Sequence, residues 1–245
     1  MKIIHLLAST ACALAAASSL HAQIILASWT FETNTPPDAT NVAALPSFNA
    51  SIGTGIGSGV HVSSATDWTT PTGNGSANSL AANNWSVGDY YQFQISTTGY
   101  ELLSLSWSQM STSTGPGSFK LSYSTDGVTF SDFGSSYSVL TATWTTGSVN
   151  AASLFSRDLS AVTSLNDRAS LYIRLVDSST VAVGGGSVSA SGSSRLDNFT
   201  VSGYAITASP SSTAVPEPAT WAGGAIGLLG LGIIRQLRRR HPDGR

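Results

Sequence analysis

The stretch Ser118-Phe119-Lys120-Leu121-Ser122-Tyr123-Ser124-Thr125-Asp126-Gly127-Val128-Thr129-Phe130 decides the fold class. Phe119, Leu121 and Tyr123 alternate with Lys120, Ser122 and Ser124, and a period of two places successive side chains on opposite faces of a strand. Asp126-Gly127 tolerates the positive φ of a tight hairpin, so Val128-Thr129-Phe130 is expected to return antiparallel. The same period recurs outward along the chain. Tyr91, Phe93 and Ile95 enclose Gln92 and Gln94; Leu103, Leu105 and Trp107 alternate with Ser104, Ser106 and Ser108; Leu171, Ile173 and Leu175 enclose Tyr172 and Arg174. An opening strand places Ile25, Ala27, Trp29 and Phe31 on one face, and a closing strand over 195–201 places Phe199 and Val201 together. Only 151–165 carries even a weak helical period. Many short strands between Gly, Ser and Asn turns predict an all-β fold, an antiparallel β-sandwich of jelly-roll-like type.

Composition narrows the chemistry. Of 245 residues, 41% are hydrophobic and 10% charged, and Ser plus Thr make up about 28%. The apolar fraction suffices for a core. A single cysteine, Cys12, excludes a disulfide framework, a zinc-cysteine site and a CxxC redox pair. With a net charge of −2 and no basic patch in the central domain, nucleic acid is not an expected partner.

Both ends read as addresses. Lys2 followed by Ile3, Ile4, Leu6, Leu7 and Leu14 forms the charged and apolar parts of a secretory signal helix over 1–22. Leu20-His21-Ala22 then offers cleavage between Ala22 and Gln23. Ser9 stands where a lipobox would need Leu before Cys12, so lipidation is not expected. At the other end, a Ser/Pro linker (209–214) leads to Val215-Pro216-Glu217-Pro218-Ala219-Thr220-Trp221, an apolar run, and Arg235, Arg238, Arg239 and Arg240. The two prolines disfavour helix. The fourteen residues from Trp221 to Ile234 span about 21 Å as helix against a hydrocarbon core of roughly 30 Å. With Trp221 and the arginines at the two interfaces, a transmembrane helix of about 221–237 is expected, stopped on the cytoplasmic side by the arginine cluster.

Segment 215–245 resembles the PEP-CTERM sorting signal of exported bacterial proteins. The resemblance rests on Val215, Pro216, Glu217 and Pro218, the short helix and the terminal arginines, with His241-Pro242-Asp243-Gly244-Arg245 as an added tail. It implies recognition by an exosortase, cleavage near Pro216-Glu217-Pro218, and delivery to the cell surface, outer membrane or exopolysaccharide matrix. A plain C-terminal membrane anchor is the alternative. The 23–208 segment is then the exported domain, with five bases against eleven acids, net −6. Through Tyr91…Phe93, the 111–116 run, Ser124-Thr125-Asp126-Gly127 and Arg195-Leu196-Asp197-Asn198, it also resembles bacterial extracellular β-sandwich modules similar to carbohydrate-binding jelly rolls.

Catalytic signals are sparse. His61 is the one histidine of the exported domain and follows a glycine-rich run, 53–59, that reads as a flexible surface loop. The run has neither dinucleotide-binding nor P-loop spacing, and the chain has no G-x-S-x-G elbow to pair a serine with His61. A glycosidase needs two carboxylates across a cleft, but no spacing distinguishes Glu32, Asp67, Asp89, Glu101 and Asp197. No cofactor is expected beyond a structural calcium. Its weak candidates, Glu32 and Asp197, are placed where first and last strands meet; Arg195 beside Asp197 suggests an ion pair instead. Trp29 and Trp107 read as core. Trp68, Trp85 and Trp144 have polar neighbours, and exposed rings there would stack on sugars. The sequence therefore points to a non-catalytic, exosortase-sorted surface or matrix protein that binds polysaccharide, with a secreted glycan hydrolase as the alternative.

Overall fold

The computed structural model describes residues 22–207. The signal segment before Ala22, the 209–214 linker, Val215, Pro216, Glu217, Pro218, the 221–237 helix and Arg235, Arg238, Arg239 and Arg240 lie outside the described residues. Ala22 and Gln23 open the described chain, both exposed. Among the described residues no helix is long and apolar enough to cross a membrane.

The domain is a sandwich of two antiparallel sheets. The strands are β1 (Ile24–Trp29), β2 (Ala44–Asn49), β3 (Ile52–Gly53), β4 (Gly55–Val60), β5 (Trp68–Thr69), β6 (Leu80–Ala82) and β7 (Tyr90–Ile95). They continue with β8 (Tyr100–Ser111), β9 (Ser118–Ser124), β10 (Ser131–Ser138), β11 (Leu154–Asp158), β12 (Leu171–Asp177) and β13 (Ser194–Ala205). A seven-stranded sheet runs β11-β8-β13-β1-β3, with β6 on β13 and β5 on β6; a six-stranded sheet runs β10-β9-β12-β7-β4-β2. From β7 onward the chain alternates between sheets, with only β9 and β10 consecutive in one.

Alternation places the core as the sequence implies. Phe119 and Leu121, Tyr91, Phe93 and Ile95, Leu103, Leu105 and Trp107, and Leu171, Ile173 and Leu175 are all buried. Trp29 on β1 and Phe199 on β13 meet Phe93 from the opposite sheet, and Trp107 on β8 packs on Phe199. Phe93 and Phe199 stack at 3.9 Å, and Trp29 tilts onto Phe93 at 4.7 Å. The Tyr91 hydroxyl crosses the sandwich to the Ser194 carbonyl at 2.9 Å, so its polar end is satisfied while its ring stays buried.

Four local expectations change. The glycine run is no flexible loop: Gly55, Gly57 and Gly59 are the inward positions of β4, paired with Ile95, Phe93 and Tyr91 of β7. A Cβ at Gly57 would overlap the Phe48 ring and one at Gly59 the Trp68 ring, so glycine leaves the volume that these aromatics fill. The Asp126-Gly127 turn is wider than a two-residue hairpin. Ser131, not Val128, resumes pairing with Tyr123, and Asp126 Oδ1 accepts from the Val128 and Thr129 amides at 2.8 Å each. A register shift between Ile25 and Ala27 turns Ile25 outward, leaving Ala27 and Trp29 inside. The 151–165 segment holds two 3₁₀ turns, Ala151–Ser153 and Thr163–Leu165, with β11 between them.

Candidate ligand-binding face

The three tryptophans expected as sugar platforms are buried. Trp68, Trp85 and Trp144 are 1%, 5% and 6% exposed, and each indole N–H has an internal acceptor: the Val42 carbonyl, the Ala82 carbonyl and Ser153 Oγ. Their polar neighbours in sequence do not bring the rings to the surface: Trp68 and Trp85 join the sandwich core, and Trp144 is buried beside the 3₁₀ turn at Ser153.

His61 is also buried, wedged between Trp68 and Trp85 with ring centroids 4.7 and 4.2 Å away. The surface placement expected for it is therefore wrong: β4 carries the chain inward just before it. Burial lowers its pKa to about 4, against weaker raising contributions from the Asn83 and Asn84 backbone. Thr66 Oγ1 at 3.1 Å and Asp89 Oδ2 at 3.7 Å both approach the same nitrogen, Nδ1, while Nε2 has no hydrogen-bond partner. A catalytic triad needs the acid and the nucleophile on opposite nitrogens. This constellation is a neutral packing unit.

The carboxylates serve as loop anchors. Asp89 accepts the Val62 and Ser86 amides at 2.7 Å each, and burial raises its pKa. Asp177 exchanges backbone bonds with the 88–89 segment, Gly88 N–H to its carbonyl and its own N–H to Asp89. Burial, with Asp89 adding repulsion, pushes the Asp177 pKa to about 6. Asp67 accepts from the Asn41 amide, and Glu101 sits on β8 opposite Tyr204. Asp197 and Glu32 do come together around the 73–78 loop. Asp197 Oδ2 accepts from Asn74 N, Ser76 Oγ and Asn198 Nδ2, and Oδ1 from Asn198 N, while Glu32 takes the Asn78 amide. Burial raises the Asp197 pKa to about 6, with Glu32 contributing. Four donors already occupy the Asp197 oxygens, so a cation there would have to displace them. Arg195 does not pair with Asp197; among the described residues the ion pair between charged groups is Lys120–Asp132, since the His61 ring 3.7 Å from Asp89 is uncharged at neutral pH.

Binding groups gather instead on the outer face of the six-stranded sheet. Because Tyr91, Phe93 and Ile95 point inward, Tyr90, Gln92 and Gln94 point out, and register sets Gln92 opposite Arg174 and Gln94 opposite Tyr172 on β12. Arg174 lies over Tyr90 at 3.9 Å from its Cζ to the ring centroid and over Phe130 at 3.6 Å. Its Nε–H donates to Gln92 Oε1 at 2.8 Å, which turns the Gln92 amide nitrogen away from the guanidinium. The widened 125–130 loop delivers Phe130 to this stack. On the adjacent strand, Ile56, Ser58 and Val60 of β4 continue the face beside Gln94, Gln92 and Tyr90. A cleft of about 520 Å³ opens at the Gln94 end, lined by Asn49, Thr54, Ile56, Gln94, Ser96 and Ala169.

The opposite face differs. Ser104, Ser106, Thr200 and Ser202 carpet the seven-stranded sheet, and Ser28 and Thr200 satisfy each other at 2.7 Å. Its cleft, about 470 Å³, has two amides whose nitrogens are already committed, Asn74 to Ser108 and Asn150, and Asn198 to Asp197. Tyr90, Gln92, Gln94, Phe130, Tyr172 and Arg174 were thus missed as a group. Their signal was in the alternate positions of β7 and β12, which carry Gln, Gln, Tyr and Arg where the middle of β8 carries Ser104, Ser106 and Ser108.

No family model and no curated protein matches this chain. Among solved structures it is similar to the N-terminal CBM22-1-CBM22-2 tandem domain of Paenibacillus barcinonensis Xyn10C, with 16% identity, a TM-score of 0.43, and coverage of 82% of this chain and 50% of that one. It therefore spans about half the length of that structure. A second similar structure is TmCBM61 in complex with β-1,4-galactotriose, at 8% identity and a TM-score of 0.33, covering 70% of this chain and 92% of that one.

Proposed function

We propose that the chain is an exported, non-catalytic surface or matrix protein whose β-sandwich binds polysaccharide through the outer face of the six-stranded sheet. The observation that carries the binding half is the Gln92–Arg174–Tyr90–Phe130 arrangement beside the Gln94 cleft. Sugars offer hydroxyls in fixed directions and apolar C–H faces. Amides and a guanidinium immobilised on a rigid sheet match the first, and ring surfaces match the second, at little entropic cost on binding. The hydrolase alternative needs two carboxylates across an open cleft. The acids with raised pKa values, Asp89, Asp177 and Asp197, are buried and bound to loop amides instead.

Export rests on the sequence. In this reading the signal is removed before Gln23, the 221–237 helix holds the precursor in the membrane, and an exosortase cleaves near Pro216-Glu217-Pro218. Mass spectrometry of protein recovered from the extracellular matrix tests this. Termini at Gln23 and near Pro218 are expected, and a retained Arg245 contradicts the processing. Affinity electrophoresis through gels cast with a panel of polysaccharides tests binding; retardation by at least one is expected, and unaltered mobility in all would remove the binding half.

A further inference from the structure

We infer that the six-stranded sheet selects acidic polysaccharide, with Arg174 receiving the carboxylate of a uronic acid residue. The inference rests on the proposed binding face and adds the class of sugar that it takes.

Arg174 is held in an unusual way for a surface cation. Tyr90 approaches from β7, on one flank of β12, and Phe130 from the β9–β10 loop, on the other, at 3.9 and 3.6 Å from Cζ to the ring centroids. Arginine at such distances favours stacking its flat faces on aromatic rings, an arrangement that keeps its edge for hydrogen bonds. One edge donor, Nε–H, is used by Gln92. Neither terminal nitrogen makes a hydrogen bond to a described residue, and no described carboxylate lies within ion-pair distance. A planar fork of N–H groups with its faces closed is the geometry that takes a carboxylate edge-on, through two parallel bonds.

The neighbouring charges leave that edge positive. Lys120 and Asp132, on β9 and β10, neutralise each other at 2.8 Å. Asp126, in the loop that carries Phe130, directs Oδ1 to the Ser124 hydroxyl and to the Val128 and Thr129 amides. Gln92, Gln94, Ser58 and Ser122, on the same face, are uncharged. Asp126 remains an ionised acid beside the face, and screening over roughly 8 Å at physiological ionic strength confines the repulsion of the domain's more distant acids. A neutral glycan would leave the fork without a charged partner; a uronate supplies one.

The full chain in detergent is titrated with polygalacturonate and alginate, with the same polymers after esterification of their carboxyl groups, and with dextran sulfate. Tighter binding of at least one acidic polymer than of its ester, by tenfold or more, is expected. Arg174→Gln should lose about that factor on the acid and nothing on the ester, and Arg174→Lys, which keeps charge but not the fork, should recover only part of it. Unchanged melting of both variants would show that the fold is retained. Equal binding of acid and ester, with Arg174→Gln indifferent, overturns the uronate assignment while leaving polysaccharide binding in place. Dextran sulfate bound as tightly as the uronates, with the same Arg174 dependence, overturns carboxylate selectivity. Binding to no polymer of any kind would remove the underlying reading as well.

Discussion

Gly59→Ala should destabilise the sandwich far more than its single methyl suggests. The position is an inward site of β4 with ordinary backbone geometry, so alanine alone would gain about 0.4–1 kcal/mol by restricting the unfolded chain. Against that, the new Cβ falls inside the Trp68 ring. Trp68 cannot yield easily. It is 1% exposed, its indole N–H is fixed on the Val42 carbonyl at 3.1 Å, and His61 packs against it at 4.7 Å. Overpacking of this kind costs about 1–3 kcal/mol, and loss of the indole hydrogen bond about 0.5–1.5 kcal/mol more. The net expectation is a loss of about 1–3 kcal/mol, or roughly 3–10 °C in melting temperature for a domain of this size. Urea unfolding followed by tryptophan fluorescence measures it. Gly147→Ala is the control, since a Cβ there meets nothing and should be neutral to slightly stabilising. Equal stability of Gly59→Ala and wild type would refute the claim that the glycine repeat exists to seat aromatic rings.

Asp177→Asn should stabilise the protein at pH 7.5 and not at pH 4. With its folded pKa raised to about 6, Asp177 contributes stability that is fully present below the unfolded value of 3.8 and lost as pH rises through 6. Such a displacement corresponds to at most about 3 kcal/mol, and about 1–2 kcal/mol is expected after solvent relaxation, read from urea midpoints at the two pH values. His61 behaves oppositely: its folded pKa, lowered to about 4, gives stability present above 6.5 and lost as pH falls through 4. An NMR titration of the His61 ring should therefore show a midpoint near 4, and a midpoint above 6 would contradict its burial. Because donors fill the Asp197 oxygens, EDTA should leave the melting temperature unchanged; a fall of several degrees reversed by calcium would show that a cation replaces that cage.

The sheet framework was legible because one face of each long strand is dry. Phe119 and Leu121, or Leu171, Ile173 and Leu175, can face only the core, so their period of two fixes both strand and face. Gly55, Gly57 and Gly59 carry the same period, but glycine has no side chain to mark which face is inward, and the reason for each glycine sits on another strand, at Trp29, Phe48 and Trp68 respectively. The tryptophans misled for a related reason. Local polarity around Trp68, Trp85 and Trp144 describes the neighbours, whereas burial is decided by the sheet packed against the ring. The proposed binding face was half legible. Gln92, Gln94, Tyr172 and Arg174 could be placed on outer positions from alternation alone. Their convergence depends on β7 pairing with β12, and on a loop six residues wide bringing Phe130 to Arg174.

Polysaccharide binding by this face is the function we propose for the sandwich. Its most direct measurement is an NMR titration of the protein with a polysaccharide that retards it, following the side-chain amides of Gln92 and Gln94 and the Arg174 Nε–H. Shifts on these three groups that saturate with the binding curve are predicted, together with a loss of affinity of about tenfold in Tyr172→Ala combined with Gln94→Ala. Saturating shifts confined to the serine face around Ser104, Ser106 and Thr200, with Gln92, Gln94 and Arg174 unmoved, would contradict it.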